Sequence, residues 1–264
     1  MGENEIPVTT LEKAVRRERE VFVVLPAYNE RPNLERLIGN IEDALREERF
    51  RYRVIVIDDG SRDGSWDLLQ SLAGPDPLVT ARHDLNQGLG RTIRDGLALA
   101  VQLASERDVI VTMDADGSQL PGLIPRMVRT IGEGHDVVIA SRYQPGARVL
   151  GVPALRRLMS TGASWVFRLL LPMPGVRDLT SGFRAYRASL LKRAFDHYGT
   201  DFVESEGFQC MVEILIKLRR LNPVFGEVPM ILRYDQKQGP SKMRVAQTVA
   251  ATLRLLAEGR LSRA

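Results

Sequence analysis

Residues 21–25, Val-Phe-Val-Val-Leu, and residues 109–116, Val-Ile-Val-Thr-Met-Asp-Ala-Asp, decide how this chain folds. Both begin as apolar runs rich in β-branched side chains. A strand covered on both faces reads this way, whereas a strand with one wet face alternates. Each run then meets polar punctuation: Pro26 and Asn29 mark a turn after the first, and Asp114 and Asp116 close the second. Working outward, Leu34, Leu37, Ile38, Ile41 and Leu45 recur at helical spacing, and Pro32 suits a first helical turn, so a helix is expected to about Glu48. Further strands are expected at 54–57, 78–81 and 137–140. Helices are expected at 65–72, from Gly88 and Gly90 toward Ala104, and across 122–131. This alternation predicts an α/β fold, a Rossmann-like, mostly parallel sheet flanked by helices in a single domain. Such sheets bind ligands beyond the carboxyl ends of their strands.

The second half reads as a loop at 143–152, an amphipathic helix at 153–171 broken by Pro172 and Pro174, and a strand at 181–187. A helix at 207–221, a strand at 225–234, a loop at 235–240 and a last helix at 242–257 follow. No linker and no internal repeat is evident.

Composition narrows the chemistry. The 264 residues are 44% apolar and 27% charged, the profile of a globular protein rather than a collagen-like or low-complexity one. A single cysteine, Cys210, excludes an intramolecular disulfide and any cysteine-cluster metal site. Three histidines are too few for a histidine-rich metal site, which leaves oxygen ligands. The net charge of +4 suits an anionic ligand, but the arginines are scattered without interleaved aromatics, so nucleic acid is not expected. The uncharged run 158–167 is about half a membrane span. No apolar signal segment is visible in the polar, acidic first residues. The expectation is a cytoplasmic protein. Peripheral contact with the inner membrane face and a homodimer both stay open.

The strongest chemical signal is Asp114-Ala115-Asp116. Two carboxylates at i and i+2 past a buried strand can converge on one hard cation, which can bridge a diphosphate. A second acidic pair, Asp58-Asp59, ends another strand, and with Gly60-Ser61 its loop can reach a ribose or a base.

Pro26-Ala27-Tyr28-Asn29-Glu30, Asp58-Asp59-Gly60-Ser61 with Asp63-Gly64, Asn86 with Gly88, and Asp114-Ala115-Asp116 resemble the ordered signatures of glycosyltransferase family 2, with the GT-A fold. Ser141-Arg142-Tyr143, residues 178–184 (Asp-Leu-Thr-Ser-Gly-Phe-Arg), Gly207-Phe208-Gln209 and residues 239–243 (Gly-Pro-Ser-Lys-Met) resemble the dolichyl/polyprenyl-phosphate mannose synthases of that family. The likeness covers roughly residues 20–250 and implies a metal-dependent, inverting transfer from a nucleotide-sugar, GDP-mannose favoured, to polyprenyl phosphate. It implies that Pro26, Ala27, Tyr28, Glu30, Asp58, Asp59 and Ala115 line the nucleotide-sugar, with Arg233 and Lys242 near its diphosphate. Asp114, Asp116 and Ser118 would hold Mg2+ or Mn2+; the family often has Gln at the position of Ser118. Arg142, Arg156 and Ser160 would hold the acceptor phosphate, and Asp116 and Arg142 would count as catalytic. Arg156 and Ser160 lie at i and i+4, on one face of the expected helix. On this reading residues 1–20 are an N-terminal extension, 21–140 the nucleotide-sugar half, 141–258 the acceptor half, and 259–264 a tail.

Two departures keep alternatives open. Gly117-Ser118-Gln119 replaces the residues many mannose synthases carry after the metal acids, and residues 201–206 place three acids before Gly207. A phosphate acceptor is already ionised, whereas a hydroxyl or amine acceptor benefits from a base, which Glu204 or Glu206 would supply. The alternative is a soluble tailoring enzyme using a UDP-sugar such as UDP-N-acetylglucosamine on a small or carrier-protein-bound acceptor. A catalytically silent nucleotide-sugar-binding subunit is a third reading, disfavoured because both metal acids are present. A Rossmann oxidoreductase is disfavoured because no G-x-G-x-x-G follows the first strand.

Overall fold

The two apolar runs lie side by side in the middle of a seven-stranded sheet. A computed structural model of the chain describes residues 19–74, 77–152, 162, 167–236, 250 and 254. Strand β1 (Glu20–Ala27) pairs in parallel with β2 (Arg51–Asp58) on one side and with β4 (Val109–Thr112) on the other. β3 (Leu78–Arg82) adds to β2, while β5 (Val137–Ser141), β7 (Arg184–Arg187) and β8 (Phe225–Pro229) complete the far side. The order is β3-β2-β1-β4-β7-β5-β8, and β7 alone runs antiparallel to its neighbours.

Among the described residues, helices α1 (Arg31–Glu47), α2 (Ser65–Leu72), α3 (Leu89–Leu103), α4 (Ile124–Gly132), α5 (Ala188–Tyr198) and α6 (Cys210–Arg219) cover the sheet. The apolar run of β1 feeds two cores. Phe22 and Val24 join a cluster with Ile93 and Leu97 of α3 and Leu190 and Leu191 of α5. Val21, Val23 and Leu25 join another with Leu34, Leu37 and Ile41 of α1 and Met127 and Ile131 of α4. Full burial of each such side chain contributes about 1.5–3 kcal/mol, so apolar area is the main force holding both layers. The anticipated face of α1, Leu34, Leu37, Ile38, Ile41 and Leu45, is buried throughout.

Several boundaries differ from the sequence reading. Pro26 belongs to β1, in register with Ile57, and the turn comes at Asn29, where φ is 52°. Pairing with β4 stops at Val24, so Pro26 sits where β1 has a neighbour on one side only, a position sheets tolerate for proline. The stretch expected to be a loop contains a short strand, β6 (Arg148–Leu150). The single strand expected at 225–234 breaks at Met230 into β8 and β9 (Ile231–Arg233), and β9 pairs with β6 in a second, two-stranded sheet. The sequence reading passed over α5, although Leu190, Leu191 and Ala194 carry its helical spacing and are buried. Residues 167–170 are helical, while most of the helices expected at 153–171 and 242–257 lies outside the described residues. No helix among the described residues is long and apolar enough to cross a membrane.

The start of α3 is a docking point for the acidic segment. The amide of Gly90 donates to the carbonyl of Glu206 at 2.8 Å. A Cβ on Gly90 would lie 1.6 Å from the carbonyl oxygen of Ser205. Neither backbone can give way, so Gly90→Ala is expected to cost about 3 kcal/mol, the upper range of overpacking, read as a lower urea midpoint. Gly39 in α1 meets nothing within 4 Å of an added Cβ. Gly39→Ala should therefore stabilise by about 0.5–1 kcal/mol through helix propensity alone.

Candidate active site

Strands β1, β2, β4 and β5 end at one edge of the sheet, and β7, running the other way, begins there. The loops after β1 and β2 are stitched together. The Asn29 amide donates to Ser61 Oγ at 2.8 Å, and the Arg62 amide donates to Asn29 Oδ1 at 2.9 Å. The Glu30 amide donates to Ser65 Oγ at 3.1 Å, and the Arg31 amide donates to Asp63 Oδ2 at 3.0 Å. Burial works against the charge on Asp63, but the Ser65 hydroxyl and the amides of Arg31 and Ser65 hold its carboxyl below its ordinary range. Glu30 is buried and accepts from Asn33 Nδ2 at 2.8 Å, Ala27 is buried, and Tyr28 beside it is partly exposed.

The first acidic pair faces inward. Asp58 is fully enclosed and lies 3.2 Å from Arg82 Nε. Asp59 accepts the amides of Gln87 at 2.8 Å and Gly88 at 3.0 Å, and lies 2.8 Å from His83 Nδ1. Its carboxylate therefore caps the entry to α3, where negative charge is favoured. Both acids serve the loop frame, a role their position at a strand end did not announce.

The second pair sits in a tight turn. Asp116 Oδ1 accepts from the Ser118 amide at 3.0 Å and the Ser118 hydroxyl at 2.6 Å, and Gly117, with φ of 71°, makes the bend. Asp114 and Gln119 form a reciprocal pair: the Asp114 amide donates to Oε1 at 3.0 Å, and Nε2 donates to Asp114 Oδ2 at 2.8 Å. The sequence reading gave Gln119 no role; an amide side chain five residues on was the only signal. β9 fixes the turn from outside, through the Arg233 amide on the Ser118 carbonyl at 2.8 Å and a bridge between Gln119 and Leu232. Ala115 between the acids is buried. Among the described residues no group of three His, Cys, Asp or Glu side chains gathers into a metal cage. Asp114 and Asp116 are the residues that could hold a hard divalent cation here, with its other ligands coming from phosphate and water.

Arg142, at the end of β5, is held by the loop that precedes β7. Its Nε donates to Asp178 Oδ2 at 2.8 Å, and its Nη2 donates to Asp178 Oδ1 at 2.7 Å and Thr180 Oγ1 at 2.6 Å. Among the described residues Nη1 makes no hydrogen bond. Burial by itself would lower the pKa of Arg142, but Asp178 more than reverses this, with smaller contributions from Tyr143 and Asp114. The same loop touches the other acid site: a Cβ on Gly182 would lie 3.2 Å from Asp114 Oδ1. The fold therefore brings Asp114 and Arg142, far apart in sequence, to one place.

The remaining predicted residues are less concentrated. Glu204 is half exposed and pairs with the buried Lys217 at 2.9 Å, and Glu206 is exposed. The Arg233 guanidinium forms a bidentate pair with Asp235. Burial lifts the Cys210 thiol far above its ordinary range, which removes it as a nucleophile. Arg156, Ser160 and Lys242 lie outside the described residues.

Burial also opposes the charge on Asp178, yet Arg142 holds its carboxyl below the ordinary carboxylate range. Such a group contributes stability that is present above its unfolded pKa of about 3.9 and is lost as pH falls through the folded value. Asp178→Asn should cost about 3 kcal/mol at pH 7, because Arg142 is left without its counter-charge. Denaturation of both forms from pH 7 to pH 3 should show the gap closing below about pH 4.

The family model Glycosyl transferase family 2 matches residues 22–195. The chain is 36% identical to an undecaprenyl-phosphate mannosyltransferase of Micrococcus luteus over 84% of this chain and 87% of that protein. It is 31% identical to a polyprenol monophosphomannose synthase of Mycolicibacterium smegmatis over 100% of this chain and 95% of that protein. It is 35% identical to a dolichol-phosphate mannosyltransferase of Pyrococcus furiosus over 85% of this chain, but spans only 59% of that relative's length. Among solved structures, glucosyl-3-phosphoglycerate synthase of Mycobacterium tuberculosis with Mn2+, UDP and glucosyl-3-phosphoglycerate superposes with a TM-score of 0.66 at 20% identity, covering 98% of this chain and 85% of that one. A second structure of that enzyme, with Mg2+ and UDP, gives 0.63 at 22% identity, covering 100% and 85%. The sheet order, the paired acids and these matches together make this chain a member of glycosyl transferase family 2, built on the GT-A fold.

Proposed function

We propose that this glycosyltransferase moves a sugar from a nucleotide-sugar, GDP-mannose favoured, to a polyprenyl phosphate, with inversion at the anomeric carbon and with Mg2+ or Mn2+. The observation that carries the acceptor half is the state of Arg142. Asp178 and Thr180 occupy one side of its guanidinium fork and leave Nη1, while Asp114 is close enough to influence its charge. A planar, prepaid guanidinium beside the donor's acid pair is the device that holds a phosphate oxygen against an anomeric carbon. The names of the relatives support the same acceptor and sugar.

In this reading a divalent cation on Asp114 and Asp116 supplies charge neutralisation to the departing diphosphate. The chain's own residues do the rest. The end of β1 and the loop after it carry Pro26, Ala27, Tyr28 and Glu30 toward the nucleotide. Asp58 and Asp59 act on it through the frame they hold. Arg233 and Lys242 complete the diphosphate side, and Ser118 would join Asp114 and Asp116 in holding the metal. Arg142, with Arg156 and Ser160, seats the acceptor phosphate. Its ionised oxygen attacks the face opposite the leaving group: the new carbon–oxygen bond forms as the bond to the diphosphate breaks. No proton need be removed, so Glu204 and Glu206 are not required as bases, and Glu204 is already paired with Lys217. A long-chain acceptor implies peripheral contact with a membrane.

Two experiments test this. Asp116→Asn keeps the shape of the side chain and deletes one charge, and should lower kcat about 100- to 1,000-fold, with EDTA doing the same to the native enzyme. Full turnover in EDTA would remove the metal. Arg142→Ala should lower kcat/KM for polyprenyl phosphate about 10- to 150-fold while calorimetric donor affinity barely moves. Failure to use polyprenyl phosphate, with loss of activity toward a soluble acceptor in Glu206→Gln, would instead establish the tailoring reading.

A further inference from the structure

We infer that Glu227, on β8, is a positioning residue of the acceptor-phosphate clamp, setting the aim of Arg142 through the main chain of Arg177 and Asp178. The inference rests on the reading of Arg142 as a phosphate ligand and adds a residue to that site.

Glu227 lies opposite Ile139 in the β5–β8 register, two residues before the level of Ser141. Its Oε1 accepts the amides of Arg177 at 2.6 Å and Asp178 at 2.7 Å. The loop rests on the same strand a little earlier, where a Cβ on Gly175 would lie 3.0 Å from the Phe225 carbonyl oxygen. Asp178 is therefore gripped twice. Glu227 holds its amide, while its carboxylate accepts the amides of Thr180 at 3.3 Å and Ser181 at 3.1 Å and the guanidinium of Arg142. The guanidinium is planar, so whatever turns the Asp178 carboxylate turns Nη1 with it.

An acid is an expensive choice here. Burial pushes the Glu227 carboxyl above its ordinary range, against the two amide bonds that favour its charge. Among the described residues Oε2 is enclosed without a hydrogen-bond partner. A carboxyl oxygen that takes two amides at once, in a place that disfavours an acid, matches a demand for exact loop position better than a demand for stability.

The test compares Glu227→Asp, Glu227→Ala and Glu227→Gln with Arg142→Ala, in the full chain with its donor. Asp keeps the charge but retracts the oxygen by one methylene, so it should fold and still raise the acceptor KM about 10-fold, as misaimed binding groups do. Ala should do at least as much. Gln keeps a carbonyl oxygen for both amides and should stay within about 3-fold of the native acceptor KM. Donor affinity, measured by calorimetry on the same samples, should hold for all three and also reports the folded fraction. An unchanged acceptor KM in Glu227→Asp would overturn the inference, even with a lower Tm, because a purely structural residue costs active enzyme and leaves KM alone. If Arg142→Ala also leaves the acceptor KM unmoved, the phosphate reading itself has failed. If only the Arg142 variant moves it, the failure belongs to Glu227.

Discussion

A sheet sealed by helices on both faces can show polar groups only where its strands stop. That constraint organises this protein. Val21–Leu25 and Val109–Val111 are fully buried, so nothing along their length can meet a ligand. The polar residues fall in the loops that follow, and parallel strands deliver those loops to one edge. β7 is the exception that matters. By running backwards between β4 and β5 it delivers the loop before it, residues 178–183, to the same edge. Gly182 then abuts Asp114 and Asp178 meets Arg142. A parallel strand in that place would have put its leading loop at the opposite end.

Most acids at this edge clamp backbone. Asp59 takes the amides of residues 87 and 88, Asp63 those of 31 and 65, Asp178 those of 142, 180 and 181, and Glu227 those of 177 and 178. Charge-assisted bonds of this kind are roughly twice as strong as neutral ones, so loops without regular structure gain defined positions. Rigid loops matter for group transfer, where the reacting atoms must meet at near-contact distance. The buried ion pairs add little net stability, since desolvation consumes most of their attraction; their loss is what costs.

The acidic segment 204–206 is a second example. Glu213 of α6 accepts the amides of Glu204 and Ser205, and Lys217, one turn on, binds Glu213, Glu204 and the Asp201 carbonyl. The segment is pressed against Gly88 and Gly90 from the other side. Glu204, read from sequence as a candidate base, is thus one of two carboxylates that share the ammonium of Lys217.

Local pattern was enough to place the elements. Apolar runs, the face of α1, the Ser65–Leu72 helix and the acids after β2 and β4 were all legible, because they depend on periods of two or 3.6 residues and on punctuation within a few residues. α5 carried the same signal and could have been read. Tertiary structure decided the rest. Nothing near residues 184–187 states that they pair backwards between two strands some seventy and forty-five positions away. An acid near a strand end has one appearance in sequence, yet Asp59 takes two amides from the segment leading into α3, while Asp116 takes the amide and hydroxyl of Ser118 two residues on. Asp178 and Glu227 take their partners from distant segments, so no spacing announced those contacts; Gln119 and Lys217 meet Asp114 and Glu213 five and four residues away, a weak local signal that the packing made use of. Sequence alone determined which residues could carry charge to the edge of the sheet; the fold determined which segments those charges hold together, because partners distant along the chain meet only when it packs.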